Sequence, residues 1–409
     1  MKGKGLWPKL VLVLLSVSLI LGLAVAGCGP KKPEKEVIKI GFSRSLSGWG
    51  APAAAGEQES VILWSEMVNA EGGIYVKEYG KKLPVQLIYY DDKSSPDEVV
   101  RIYERLATFD KVDVFFPPSS TEPNIAAIAV CEKYHMPMVA GTCGSSRGRE
   151  LGAKYWWSVT PLEYQWMEAL SDLLSAHKDE IKTVALLYCH YPFLITCYED
   201  LKARLQKAGF DVVIEKDYPM DVKDLSEVLL NAKNKNVDAV IGHSMPSDAF
   251  MIIEQSIGVG LDPKFMYFQI GPGEYAFPQI FGAAVEGVSG MGTWCGSARF
   301  PGSKEFYEAI VKRWGHPPGL LNQTDGWHVC QLMQQAIEKA GTLDREKIRE
   351  VLATEEFVTI EGPVKLQDGL NTLAVAGVMQ WQKGEAQLVW PLDRATAELE
   401  FPKPPWPKR

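Results

Sequence analysis

The stretch VIKIGFSRSLSGWGAPAAAGEQESVILWSEMVNAEGG, residues 37–73, decides the fold. Val37 to Phe42 is dominated by apolar and β-branched residues and reads as a strand. A loop rich in Gly, Ala and Ser follows. From Glu57 to Ala70, Val61, Trp64, Met67 and Val68 recur on one face, which makes an amphipathic helix that stops at Gly72-Gly73. A strand that feeds a helix through a small-residue loop is the repeating unit of a parallel sheet covered by helices.

Towards the C-terminus the unit recurs. Leu83 to Tyr90 is a strand ended by Asp91 and Asp92, and Pro96 opens a helix through Phe109. Strand Val112 to Phe116, helix Pro123 to His135 and strand Pro137 to Ala140 complete the first set. The aromatic, proline-ended stretch Tyr155 to Pro161 reads as a crossing into a second lobe. There, helices Gln165 to His177, Phe193 to Ala208, Asp224 to Asn234 and Ser247 to Ile257 alternate with strands Thr183 to Cys189, Asp211 to Lys216, Asp238 to Gly242 and Lys264 to Phe268. After Gly287 come a strand to Trp294, helices Ser303 to Trp314, Thr324 to Ala340 and Asp344 to Ala353, and β-like runs at Val375 to Trp381 and Leu388 to Trp390. The fold class is α/β: two doubly wound parallel-sheet lobes with a cleft between them. The expected boundaries are 37–158 with 291–358 for lobe I, 159–290 with 359–395 for lobe II, and a loose C-terminal tail over 396–409.

Towards the N-terminus, Lys2, Lys4 and Lys9 precede an apolar run from Leu10 to Ala26, the charge-then-apolar order of a signal peptide over residues 1–27. The alternative is an uncleaved anchor, but the run is shorter than the ~20 residues a span needs. Val25-Ala26-Gly27-Cys28 resembles the lipobox of bacterial lipoproteins, which implies cleavage before Cys28 and acylation of its thiol. Residues 28–36 are polar and proline-bearing and read as a flexible tether. The body is then extracytoplasmic, held at the membrane by the lipid alone. The formal charge of -8 and the lack of a basic cluster with interleaved aromatics argue against nucleic acid as a partner.

Beyond Cys28, six cysteines remain, and an exported chain permits disulfides. Two readings stand: Cys131 with Cys143 and Cys189 with Cys197 as sequence neighbours, or buried free thiols. The histidines are scattered, so no metal is expected; His190 and His243 end strands that point to the cleft. No GxSxG elbow, P-loop or strand-linked GxGxxG occurs, and Asp91-Asp92 reads as a helix-entry turn, so neither an enzyme nor a cofactor is expected.

Ligands in such sheets collect at the carboxyl ends of strands, against helix N-termini. Two loops have the right composition there: Pro117-Pro118-Ser119-Ser120-Thr121-Glu122-Pro123 and Gly141-Thr142-Cys143-Gly144-Ser145-Ser146. Both are small and hydroxyl-rich, as a carboxylate or amide site requires. Trp49 lies in a first-lobe loop that should face the cleft, and Trp156, Trp157, Trp294 and Trp327 add aromatic surface.

Ile40-Gly41-Phe42 with Leu46-Ser47-Gly48, Asn69 to Ile74, Tyr90-Asp91-Asp92, Pro118-Ser119-Ser120, Ala208-Gly209-Phe210, Glu361-Gly362-Pro363-Val364 and Gln380 to Gly384 occur in an order and spacing that resembles the periplasmic-binding proteins of the branched-chain amino acid type, a group that also takes amides and urea. The resemblance implies a type I fold of two lobes joined by three crossovers, closing on a small amino-acid-like, amide or carboxylate-bearing solute, and permease subunits of an ABC importer as partners. It places Ser119, Ser120 and Thr142 where the family holds a ligand carboxylate, Phe193 near an aromatic wall of the second lobe, Ser244 near another cleft position, and Glu274 within one residue of an acid that pairs with a ligand ammonium. Pro118 cannot donate an N–H, so the anion cradle begins one residue later. The expected ligand-binding set is Trp49, Ser119, Ser120, Thr142, Cys143, Gly144, Tyr191, Phe193, Ser244 and Glu274. A sensing module of a receptor and a secreted hydrolase are the alternatives.

Overall fold

A computed structural model describes residues 34–407. The expected signal peptide, the acylation site Cys28 and the tether up to residue 33 lie outside them. Among the described residues no helix is long and apolar enough to cross a membrane.

The chain begins with β1 (Ile38–Arg44), α1 (Ala51–Ala70), a hairpin of β2 (Ile74–Val76) and β3 (Lys81–Leu83), β4 (Val85–Asp91) and α2 (Pro96–Thr108). It continues through β5 (Val114–Phe115), α3 (Thr121–Tyr134), β6 (Met138–Ala140), the single turn α4 (Arg147–Glu150) and β7 (Trp156–Ser158). Strands β4, β1 and β5 run parallel, and β6 runs parallel to β7. Ile38, Ile40 and Phe42 are fully buried along β1, as its apolar alternation dictates. Helix α1 starts at Ala51, inside the stretch expected to be loop, because Pro52 suits a first turn and the alanines that follow are strong helix formers.

Lobe II follows as α5 (Glu163–Ala176), β8 (Thr183–Cys189), α6 (Pro192–Ala208), β9 (Asp211–Tyr218), α7 (Ser226–Asn234), β10 (Ala239–His243), α8 (Pro246–Val259), β11 (Phe265–Phe268), α9 (Ala276–Phe281) and β12 (Val288–Met291). The chain then returns to lobe I with α10 (Ser303–Trp314), α11 (Asn322–Ala340), α12 (Arg345–Thr354), β13 (Glu356–Thr359), β14 (Gly362–Gln367) and β15 (Leu370–Asn371). It ends in lobe II with β16 (Val378–Gln382) and β17 (Glu385–Trp390). The lobe II sheet has the order β17-β16-β12-β11-β10-β8-β9, with the last hairpin antiparallel to β12.

The structure decides three points that the sequence left open or placed elsewhere. Strands β14 and β15 join β13 and β7 in lobe I, so the third crossover lies after Asn371 and not at residue 358. The six described cysteines are all free and buried, so the pairings Cys131 with Cys143 and Cys189 with Cys197 do not form. The tail is not loose: the buried Lys403 bonds Asp262 at 2.7 Å, and the Trp406 indole donates to the Leu261 carbonyl at 2.7 Å.

The second and third crossovers pass each other at glycine. Gly292 N–H donates to Gly377 O at 3.1 Å. A Cβ on Gly377 would stand 2.6 Å from Gly292 O and 2.8 Å from Trp390 O, so no side chain fits between these strands.

Candidate ligand-binding cleft

Where the carboxyl ends of β1, β5 and β6 face the loops after β8, β10 and β11, a cavity of about 90 Å³ lies between the lobes. Trp49 from the β1–α1 loop and Tyr191 from the β8–α6 loop meet across it, ring centroids 5.3 Å apart. Of the expected residues, Trp49, Ser120, Thr142, Gly144, Tyr191 and Phe193 all line this one space.

The lobe I wall is built on a strained loop. Ser120 precedes α3 with φ +71° and ψ 163°, a region that non-glycine residues avoid. Neighbours hold it there: Ser120 N–H donates to Thr142 Oγ1 at 3.0 Å, and Asn124 Nδ2 donates to the carbonyls of Pro118 and Ser120 at 2.8 Å each. The loop thereby aims the first N–H groups of α3 at the cleft. One of them, on Glu122, donates to Tyr191 Oη of lobe II at 3.2 Å. Helix starts favour negative or oxygen-rich groups in this position.

Lobe II contributes an apolar face of Tyr191, Phe193, Met245 and Ile270, with Ser247 as a polar member. Phe193 packs so closely on Gly144 that a Cβ there would lie 3.0 Å from the ring. Glycine at 144 is what lets the lobes approach this far.

Four expected residues fall outside the cavity. Ser119 is buried, its hydroxyl accepting from Arg44 Nη1 at 2.7 Å and donating to Glu57 at 3.1 Å. Cys143 points into lobe I, and burial pushes its thiol up to about 12. Ser244 is fully buried and donates to Ile270 O at 3.1 Å. Glu274 lines a different cavity, of about 290 Å³, with Tyr275, Gln279, Tyr307 and Trp381. Trp156, Trp157, Trp294 and Trp327 are core residues. His243 is buried, which lowers it to about 3, and His190 pairs with Asp217 at 2.9 Å. Asp92 accepts from Ser43 and Ser45 at 2.7 Å each, a turn-building role.

Sequence reasoning missed the cavity residues Trp166, Leu321, Asn322 and Asp325. The last three sit at the start of α11. Behind them lies a layer of buried charge. Arg44 pairs with Glu57, and His328 lies 3.4 Å from Glu361. Burial raises Glu57, with Arg44 pulling against it. Burial also opposes ionisation of Glu361, but His328 and the hydroxyls of Thr293 and Thr324 outweigh it and hold this carboxyl low. Burial and the like charges of Glu361, Glu57 and Glu274 push Asp325 well above the carboxylate range. Glu274 is pushed up to about 8 by burial, against the bond from Asn322 Nδ2 at 2.6 Å.

Two α/β lobes, three crossovers and a cavity at facing strand ends define a bilobal binding fold of type I. The chain belongs to the periplasmic binding protein family, which it matches over residues 37–386. It is 22% identical over 413 residues to the "Leu/Ile/Val-binding protein homolog 7" of Brucella melitensis, covering 96% of this chain and 99% of that one. Among solved structures it resembles the branched-chain amino acid transporter substrate binding protein LivJ of Streptococcus pneumoniae in complex with isoleucine. The TM-score is 0.75 at 20% identity, over 90% of this chain and 100% of that one. A solute binding protein of an ABC transporter from Rhodopseudomonas palustris, in complex with 3,4-dihydroxy benzoic acid, superposes with TM-score 0.74 at 20% identity, over 86% of this chain and 95% of that one.

Proposed function

We propose that the protein is the extracytoplasmic solute-binding component of an ABC importer, anchored through acylated Cys28, that captures a carboxylate-bearing solute with a bulky apolar or aromatic body. The observation that carries this reading is the pairing of the α3 start with an aromatic-lined cavity bounded by both lobes. The helix-start N–H groups and the hydroxyls of Ser120, Thr121 and Thr142 suit a carboxylate, and Trp49, Trp166, Tyr191 and Phe193 suit the body. The relatives named above, bound to isoleucine and to a hydroxylated benzoate, span the same chemistry. Closure of lobe II over the solute would present a joint surface to the permease, and the solute is passed on unchanged.

The test is native mass spectrometry of the purified protein, followed by thermal shift with a panel of aromatic carboxylates and apolar amino acids. A bound molecule of unaltered mass and a saturable rise in Tm are expected. A product mass after incubation would replace transport with turnover.

A further inference from the structure

The first turn of α11 carries an acid whose side-chain partner is a second acid. Asp325 is 4% exposed, lines the cavity, and among the described residues its side-chain partner is another acid, the Glu361 carboxyl, a hydrogen bond that needs a proton between the two. Asn322, three residues earlier on the same helix face, also lines the cavity. Its Nδ2 is committed to Glu274, which leaves Oδ1 as an acceptor. Buried acceptors short of donors are costly, and such groups await a partner. The wall therefore has two polarities: donors at the α3 start, acceptors at the α11 start.

We propose that Asp325, with Asn322 Oδ1, accepts the protonated nitrogen of a bound solute whose carboxylate is held at the start of α3. This assignment deepens the carboxylate reading above and rests on it. It moves recognition of the nitrogen from Glu274, which lies in the neighbouring cavity, to an acid of lobe I. The groups facing Asp325 support it. Arg44 of β1 and Glu57 of α1 share with it a small cavity under Gly141, and they pair with each other. His328 of α11 lies against Glu361 of the β13–β14 turn. Glu274 approaches from lobe II through Asn322. Arg44 and His328 each already face another carboxylate, so neither is left for Asp325. Its proton is the charge a ligand ammonium replaces: the N–H donates to the carboxylate, and one proton leaves to solvent.

The experiment uses L-phenylalanine and its des-amino counterpart, 3-phenylpropionate, titrated calorimetrically into the full chain in phosphate and in Tris, whose ionisation heats differ. The wild type should bind phenylalanine at least about tenfold more tightly than phenylpropionate, the scale of one charge-assisted hydrogen bond. It should release a proton as it does so. Asp325→Asn, isosteric with the protonated acid, should bind both probes alike with no proton release. Should that variant fail to fold, Asn322→Ala should narrow the same preference. Equal affinity of the wild type for the two probes overturns the assignment and leaves the carboxylate reading standing. A preference that survives in Asp325→Asn makes the residue structural and overturns the assignment as well. Failure of the wild type to bind either probe at millimolar concentration removes both.

Discussion

The two walls of the cleft differ in kind. Lobe I presents a strained serine, hydroxyls, an amide and an acid, backed by the Arg44–Glu57 and His328–Glu361 pairs. Lobe II presents Tyr191, Phe193, Met245 and Ile270, with one buried carboxylate, Asp248, accepting from Met245 N–H and Ser247 Oγ at 3.1 Å each. Polar recognition needs donors and acceptors held in place by partners of their own, and lobe I supplies them as paired buried charges. An apolar face needs shape alone, which suits the lobe that covers the solute.

The contrast breaks most visibly at Arg44. Replacing it with Met strands Glu57 in the interior, and urea unfolding should show a loss of about 3–5 kcal/mol. The double change Arg44→Met with Glu57→Leu should recover most of it. No change in the single variant would mean that the charge layer does not support the wall.

The adjacent serines separate next. Ser119→Ala should lower stability by about 1–3 kcal/mol, since it leaves Arg44 and Glu57 short of a partner, without altering ligand affinity. Ser120→Gly should raise Tm by relieving a backbone whose strain is of order 1–3 kcal/mol. Opposite signs at neighbouring positions, read by calorimetric unfolding, are the expected outcome.

Glu274 sharpens the comparison through pH. Its carboxyl titrates near 8 in the folded protein against a usual 4.5, so its stabilising contribution is present below that usual value and is lost as pH rises through 8. The slope is at most about 1.4 kcal/mol per pH unit. Glu274→Gln should remove that part of the decline, visible as a flatter Tm profile between pH 5 and pH 8. The smallest effect is expected on the apolar side: Phe193→Leu keeps an apolar side chain but loses the ring face, which should weaken binding of an aromatic probe by about 0.5–1.5 kcal/mol.

The α/β rhythm was legible because parallel strands buried on both faces, such as β1, β8 and β10, announce themselves as apolar runs between amphipathic helices. The third crossover was not, because β14 and β15 are short and their side of the molecule is set by pairing with β7, a long-range event. In the site, composition singled out both hydroxyl-rich loops but not which serine of Ser119-Ser120 turns inward, since that depends on a positive φ at Ser120. Asp325 was hidden by belonging to a helix, and Asn322 by lying two residues before the start expected at Thr324. Their signal was an amide and an acid three residues apart on the first turn, where an acid also reads as a favourable partner for the helix dipole. Ser244 and Glu274 came from resemblance alone, and the structure turns both away from the cavity.

The decisive measurement is a crystal structure of the protein with its co-purified or titrated solute. Electron density should lie between the α3 start and Phe193, with a carboxylate against Thr121 and the apolar body under Trp49 and Tyr191. Density in the cavity of Glu274 and Trp381 instead, or lobes closed on side chains alone at saturating solute, would contradict the account.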